Sequence, residues 1–317
     1  MDWNNWNTRL SVLLETLLLT VVGFNYFIDP YGVFETRWLT RDSYNVNERY
    51  LKVEHILHER SRYDSFILGD SAMDVFDSRT ADRLSHGQHW YNLSFLGGNA
   101  GEALAVLRAI KQQGVSIREV IFGVDMIPYW ENRGNASGFL RMHPAVTGES
   151  RVSFLVRSLF ASSFLEGINR IENSIQPEPA VAYDINSTGR LMLLRYEREL
   201  ASDPEAFRRR QFRGDLKIQG NDIVWIDQRF QELAELKAWL EEQRIEAKFF
   251  IQPYHHETRA WVSPRSYQEF YGRVMKILGE VPDFSVVREI TDDDRNYYDP
   301  KHFRPEVSNL ILRHLLN

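Results

Sequence analysis

The chain contains no cysteine among its 317 residues. This absence excludes thiol nucleophiles, thiolate metal sites and a disulfide framework, and it is compatible with an oxidising or a reducing compartment. An excess of positive charge is also lacking, because the formal net charge is −6 at pH 7. A nucleic-acid partner would have to bind against this overall field, so we expect none.

The chain is rich enough in apolar residues for a sizeable core, with 43% hydrophobic and 13% aromatic residues. Short apolar runs alternate with stretches of helical periodicity, which is typical of βαβ units. The predicted strands are Ser65–Leu68, Trp90–Leu93, Glu119–Val124, Ala247–Ile251 and Phe284–Val287, and the predicted helices are Ala100–Gln112, Asp227–Arg244, Ser266–Leu278 and Pro305–Leu316. We therefore expect an α/β fold with a mostly parallel sheet in a three-layer αβα sandwich.

The segment from Leu10 to Ile28 is the longest apolar stretch of the chain. About 20 helical residues cross a hydrocarbon core, so the segment predicts one transmembrane helix. No small-residue cleavage site follows it, and Asp29-Pro30-Tyr31-Gly32 is typical of a helix stop and turn. A cleaved signal peptide is the main alternative, and a soluble core helix is another because Glu15 lies within the segment.

The basic residues that flank this segment indicate its orientation. Arg9 precedes it and the next basic residue is Arg37, so the positive-inside rule predicts a cytoplasmic N-terminus and an external C-terminal part. We expect an anchor at 1–28, a juxtamembrane segment at 29–62 and the main domain at 63–317. The strand and helix rhythm breaks at about 129–221, which we interpret as an insertion or lid that contains helix at Val152–Asn173.

A candidate nucleophile follows the first predicted strand, in the triplet Gly69-Asp70-Ser71. Ligands of parallel sheets gather at the carboxyl ends of the strands, and a serine there would precede a helix whose free N–H groups favour negative charge. Serine is a weak nucleophile without a base elsewhere in the chain. On its own, the triplet is equally typical of a turn or a helix cap.

A candidate base lies just before the last predicted helix, in Asp299-Pro300-Lys301-His302. The spacing lets the Asp299 carboxylate hold one nitrogen of the His302 imidazole while the other nitrogen faces the serine. Together with Ser71, these residues predict a catalytic triad.

The two motifs resemble the first and last blocks of the SGNH (GDSL) hydrolase and acyltransferase superfamily. The resemblance implies an oxyanion-hole glycine in the second block, for which Gly97 is the better placed candidate and Gly98 the alternative, beside the backbone N–H of Ser71. The third block of the family is Gly-x-Asn-Asp, whereas this chain has Gly123-Val124-Asp125-Met126. A carboxylate at Asp125 can donate to an oxyanion only when protonated, so this chain departs from the family pattern at one hole position.

The N-terminal span followed by such a domain resembles the membrane-anchored bacterial branch of the superfamily, which includes proteins similar to alginate O-acetyltransferases and to the teichoic acid D-alanine transfer protein. The resemblance implies a cytoplasmic-membrane protein whose external domain transfers an acyl group, often acetyl, to a cell-envelope or exopolysaccharide polymer without a cofactor. It also implies a multi-span membrane-bound O-acyltransferase partner, which Glu15 and Asn25 could contact within the span. An esterase that acts on envelope carbohydrate esters and a non-catalytic glycan-binding scaffold are the alternatives.

A second group of residues is predicted to line the rim of the site: Asp70, Gly98, Asn99, His255 and His256. The two histidines follow the predicted strand Ala247–Ile251. Adjacent histidines point in different directions and the sequence suggests no third ligand, so we expect no metal there.

Overall fold

The computed structural model describes residues 3–34, 36, 46–130, 140–161, 164–176, 178–212 and 220–317. The strands are β1 (Ser65–Leu68), β2 (Trp90–Asn92), β3 (Glu119–Val124), β4 (Ala182–Tyr183), β5 (Leu191–Met192) and β6 (Glu246–Ile251). The helices are α1 (Trp3–Ile28), α2 (Glu48–His58), α3 (Ser78–Leu84), α4 (Ala100–Gln112), α5 (Pro144–Thr147), α6 (Arg151–Ala161), α7 (Phe164–Ile175), α8 (Leu194–Ser202), α9 (Pro204–Gln211), α10 (Asp227–Glu242), α11 (His256–Ala260), α12 (Pro264–Leu278), α13 (Arg288–Thr291) and α14 (Pro305–Leu316). Residues 1–51 and 136–182 cluster into one compact unit, and residues 52–135 and 183–317 into another.

The larger unit is built on a parallel sheet of four strands in the order β2-β1-β3-β6. Chain order reverses on the two sides of β1, because β2 pairs with one edge of β1 and β3 with the other. The crevice at the carboxyl ends of β1 and β3 is therefore a topological switch point, where open α/β sheets bind their ligands. Every residue of the central strands β1 and β3 is buried, as expected of a parallel sheet, and so is every residue of the edge strand β2.

Four of the five predicted strands are confirmed to within one residue at each end. The prediction of a strand at Phe284–Val287 is wrong, since Phe284–Val286 forms one turn of 3-10 helix. The side chain of Asp283 accepts a hydrogen bond from the backbone N–H of Ser285, which turns the chain after a single parallel bridge to Ile251. The four predicted helices are confirmed as α4, α10, α12 and α14, with ends that differ by no more than two residues.

Helices of the larger unit pack in two groups. One group brings α4 and α10 together, with α12 against α10, and the other brings α14 against α3. Phe76, Phe250 and Phe303 are buried in the core that the second group covers. These contacts fix the last helix, and with it the loop that precedes α14, against the segment that follows β1.

The smaller unit contains α1, α5, α6 and α7. In the described part of the chain, α1 is the one helix long and apolar enough to span a membrane. Its apolar side chains face outward, with Leu13 64% and Leu19 70% exposed, which is the opposite of a soluble core helix. The helix predicted at Val152–Asn173 is confirmed over α6 and α7, and residues 162–163 between them lie outside the described residues. Arg37 and the segment 134–138 of the predicted insertion also lie outside them.

Candidate active site

Ser71 lies two residues beyond Gly69, which ends β1 with φ +147°. A side chain at Gly69 would be strained in this conformation and would also overlap Met73, so glycine is required for the sharp exit from the strand. One turn of 3-10 helix at Met73–Val75 follows, where the sequence predicted the start of a longer helix. The Ser71 side chain is left at the carboxyl end of β1, with the residue 8% exposed.

His302 and Asp299 lie at the tip of a closed loop before α14. An antiparallel bridge joins Tyr297 to Phe303, and the backbone N–H of Tyr298 donates to the carbonyl of His302 at 2.8 Å. The side chains of Tyr297 and Phe303 are fully buried and anchor the base of the loop in the core. The bridge and the buried base restrict the positions that the tip of the loop can take.

The three predicted triad residues form a continuous hydrogen-bonded relay. The Oγ of Ser71 is 2.9 Å from Nε2 of His302, and Nδ1 of His302 is 2.8 Å from Oδ2 of Asp299. A carboxylate only accepts hydrogen bonds, so Nδ1 carries the proton and Nε2 accepts from the serine hydroxyl. This is the tautomer that a general base needs in order to take the serine proton.

The Asp299 carboxylate is held ionised by its surroundings. Its Oδ1 accepts the backbone N–H groups of Lys301 and His302, both at 2.8 Å. Burial opposes ionisation, but the charge and hydrogen bonds of His302 and the N–H group of Lys301 together lower the pKa of Asp299 below its ordinary value. Asp299 therefore orients the imidazole and stabilises its charged form.

Two backbone N–H groups are available as oxyanion donors beside Ser71. Within the described ranges, the N–H groups of Ser71 and Gly97 have no hydrogen-bond acceptor in the chain, whereas the N–H of Gly98 donates to the carbonyl of Phe95. Gly98 has a different task, because a Cβ there would overlap the carbonyl oxygen of Gly69. The loop after β2 can approach the nucleophile loop this closely only with glycine at position 98.

Asp125, which replaces the expected asparagine, belongs to a buried ionic cluster with Asp70 and Lys301. The Nζ of Lys301 is 2.9 Å from Oδ2 of Asp70 and 3.3 Å from Oδ2 of Asp125. Gln252 donates to Oδ1 of Asp70 at 3.1 Å, and the N–H of Ile127 donates to Oδ1 of Asp125 at 3.0 Å. The cluster connects the residue before Ser71 with the residue before His302, so we interpret Lys301 as a positioning residue.

The two carboxyls of this cluster have opposite pKa shifts. Burial and the neighbouring charge of Asp70 raise the pKa of Asp125 to about 7. Burial also acts on Asp70, but Lys301 and the hydrogen bonds from Asp125 and Gln252 outweigh it and hold the pKa of Asp70 below its ordinary value. Asp125 thus holds its proton up to about pH 7 and can then share it with the ionised Asp70, which keeps Asp125 within the cluster.

The predicted rim residues fall into separate places. Gly98, Asn99 and Asp125 line one narrow cavity, which Tyr129 and Arg229 also line. Asp70 is 1% exposed and is part of the ionic cluster, so it does not line a rim.

His255 is fully buried, whereas His256 is exposed at the start of α11. His255 and His256 lie with Glu257 in a group whose ligand atoms are within 4.8 Å of one another. Both ring nitrogens of His255 are already used, since Nε2 is 2.9 Å from Oδ1 of Asp294 and Nδ1 accepts the N–H of Glu257. Burial lowers the pKa of His255, which favours a neutral structural role.

A second buried polar network, which was not predicted from the sequence, supports the 3-10 turn after Ser71. The Nζ of Lys52 donates to Oδ1 of Asp74 at 2.8 Å and to the carbonyl of Ser94 at 2.6 Å, and both charged side chains are fully buried. The Oγ of Ser94 also donates to Asp74, and Nδ2 of Asn92 donates to the carbonyl of Met73. The network ties the 3-10 turn to the end of β2. A lysine in a helical segment is usually solvated, so the sequence carried no signal that Lys52 has buried partners.

Comparison of the sequence with models of known protein families and with curated proteins finds no match.

Proposed function

We propose that this protein is a membrane-anchored serine acyltransferase of the SGNH type, which acylates a cell-envelope or exopolysaccharide polymer through an acyl-serine intermediate. The observation that carries the proposal is the Ser71–His302–Asp299 relay, with hydrogen-bond distances of 2.9 and 2.8 Å. The nucleophile comes from one loop, and the base and orienting carboxylate come together from a second loop at least 228 residues further along the chain. The two loops meet at the switch point of the sheet. Such an arrangement is the requirement for activating a serine hydroxyl.

The first half-reaction uses every member of the relay. The Ser71 Oγ attacks the carbonyl carbon of an acyl donor while Nε2 of His302 takes the hydroxyl proton. The N–H groups of Ser71 and Gly97 donate to the oxygen that becomes negative. When the tetrahedral intermediate collapses, the bond to the leaving group breaks, His302 returns its proton to that group and the acyl chain stays on Ser71.

The second half-reaction decides between transfer and hydrolysis. His302 takes a proton from a sugar hydroxyl, whose oxygen attacks the carbonyl carbon of the acyl-serine. The bond between the acyl group and Ser71 Oγ then breaks, His302 returns the proton to Ser71, and the new sugar ester leaves. Water in the same position would make the protein an esterase. We favour transfer because α1 is suited to hold the chain in a membrane, where a multi-span acyltransferase partner can deliver the acyl group from the cytoplasmic side.

The finer architecture and location are part of the same proposal. The helix pair α3–α14 and the group α4–α10–α12 would form the outer layers of a three-layer αβα sandwich around the parallel sheet. The single Arg9 before the apolar run of α1 supports a cytoplasmic N-terminus and an external domain at the cytoplasmic membrane of a bacterium. Asn25 was predicted to contact a membrane partner within the span. It is instead buried and donates to the carbonyl of Leu159.

The experiment is a two-part assay on the full chain in detergent or nanodiscs. A fluorophosphonate probe should label the wild type at Ser71 and leave the Ser71→Ala variant unlabelled, with Ser78→Ala as the control because Ser78 is buried outside the site. p-Nitrophenyl acetate with an acetyl-free polysaccharide should then yield acetylated polymer. Labelling without polymer acetylation would favour the esterase, and a wild type that is neither labelled nor active would favour a non-catalytic scaffold.

A further inference from the structure

Helix α6 exposes an apolar stripe to its surroundings. Val152, Val156 and Phe160 are spaced four residues apart and therefore share one face. They are 72%, 47% and 55% exposed, whereas Phe154 and Ser158 on another face are buried. In the described part of the chain, this face is left without a protein covering.

Helix α7 also exposes large apolar residues. Phe164, Leu165 and Ile175 are 66%, 65% and 74% exposed, while Ile168 and Ile171 are half-buried. The residues that it buries fully are Gly167 and the charged Arg170, whose guanidinium donates to the carbonyl of Pro30. A helix that leaves several large apolar residues uncovered in this way is suited to an apolar exterior.

Both helices pack against the last turns of α1. The rings of Phe24 and Phe164 have centroids 4.8 Å apart, and a Cβ at Gly167 would overlap the Phe24 ring, so the α1 and α7 backbones approach closely there. Phe164 is at once a contact of α1 and an exposed residue. It therefore joins the exposed apolar surface of α1 to that of α7.

Polar groups of this junction are satisfied inside the protein. The last carbonyls of a helix have no intrahelical donor, and Asn25 supplies one to the carbonyl of Leu159 at 2.6 Å. The single proton of the Tyr31 hydroxyl is donated to Glu166 at 2.6 Å. Polar groups paired inside the protein in this way suit a water-poor surrounding.

We infer that α6 and α7 lie in the interfacial layer of the same bilayer that α1 spans, with Val152, Val156, Phe160, Phe164, Leu165 and Ile175 against lipid. The inference rests on the membrane-anchoring part of the proposed function. Phe24 lies four residues before the end of α1, which is about 6 Å along the helix axis, and interfacial helices bury their apolar face about 5–10 Å deep. Arg151 and Arg157 are exposed on α6, where their long side chains can reach lipid phosphates.

Lipid is favoured over a second copy of the chain because the exposed surface is continuous with that of α1. A protein partner would need to cover α6 and α7 while leaving the adjoining residues of α1 to lipid. The proposed enzyme would then be held by one spanning helix and one interfacial pair.

Site-directed spin labelling of the full chain tests the inference, and the lack of native cysteine makes every introduced cysteine unique. Labels at Val156→Cys, Leu165→Cys and Ile175→Cys are compared in phosphatidylcholine/phosphatidylglycerol nanodiscs that hold one copy each. Arg157→Cys and Glu172→Cys are the matched controls, since both are exposed polar positions on the same helices. Leu14→Cys reports on α1.

For each label, we compare the relaxation caused by oxygen with that caused by a water-soluble nickel complex. The ratio of oxygen to nickel relaxation should be severalfold higher at the three apolar positions than at the two controls. If the Leu14 label senses lipid while the α6 and α7 labels are as open to nickel as their controls, the inference is overturned and the anchor stands. Shielding of the α6 and α7 labels from both reagents would mean that protein covers them, which also overturns it. If the Leu14 label is open to nickel, the anchoring proposal fails and the inference fails with it.

Discussion

Replacing Asp125 by asparagine should change the pH dependence of folding more than any other conservative substitution at the site. The asparagine amide can donate to Asp70 as the protonated Asp125 does, and it cannot ionise. The variant should therefore retain the cluster with Lys301 at low pH. At high pH it should not lose the unfolding free energy that the wild type loses when Asp125 becomes a second buried negative charge.

The magnitude follows from the raised pKa of Asp125. The folded-state value is about 7 against 3.8 for the free side chain. Each pKa unit corresponds to about 1.4 kcal/mol, so the wild type should lose up to roughly 4 kcal/mol of unfolding free energy from this group. Because the folded pKa is raised, that stability is fully present below about pH 4 and is lost as the pH rises through about 7.

Guanidinium unfolding of wild type and Asp125→Asn, followed by tryptophan fluorescence in the same detergent at pH 4, 6 and 8, measures this difference. Between pH 4 and pH 8, the free energy of unfolding of the variant should rise relative to that of the wild type by up to roughly 4 kcal/mol. Asp227→Asn is the control, because the Asp227 carboxylate is 80% exposed. Its free energy of unfolding should differ from that of the wild type by the same amount at all three pH values. A constant difference for Asp125→Asn as well would refute a proton shared between Asp125 and Asp70.

Other substitutions test separate parts of the account. Asp299→Asn should lower the turnover of p-nitrophenyl acetate by about 10⁴-fold, because the wrong imidazole tautomer results; unchanged turnover would contradict the relay. Lys301→Met should cost about 3–5 kcal/mol of unfolding free energy by leaving buried carboxyls without their cation, and a neutral effect in urea unfolding would remove its positioning role. Gly98→Ala should lower the unfolding free energy by about 1–3 kcal/mol through the clash with Gly69. A Cβ at Gly272 inside α12 would meet open space, so Gly272→Ala should raise the free energy of unfolding by about 0.5–1 kcal/mol. Similar changes in this free energy for both glycine variants would contradict the close approach of the two loops.

The relay could be predicted from sequence because each of its members lies in a short segment with its own signal. An apolar strand before Gly69 fixed the position of Ser71, and the spacing of Asp299 and His302 allowed one side chain to hold the other. The strand prediction at Phe284–Val287 failed because a single capping side chain, that of Asp283, redirected the backbone locally.

Tertiary contacts decided what the sequence could not indicate. Lys301 and Lys52 have no helical or strand pattern that distinguishes them from solvated lysines, and only the folded chain brings Asp70 and Asp74 to them. The aspartate at position 125 was recognised as a departure from the expected asparagine, but its partner Lys301 became visible only when β3 and the loop before α14 were placed together.

The acyl-serine itself is the most direct test of the central claim. Full-length protein is mixed with p-nitrophenyl acetate, quenched in acid within the first turnover and digested, and the peptide that contains Ser71 is measured by mass spectrometry. We expect an acetyl group on Ser71 in the wild type, its loss in Ser71→Ala, and much slower formation in His302→Ala. Release of p-nitrophenol at the same rate by Ser71→Ala, or acetylation only at residues other than Ser71, would contradict the account.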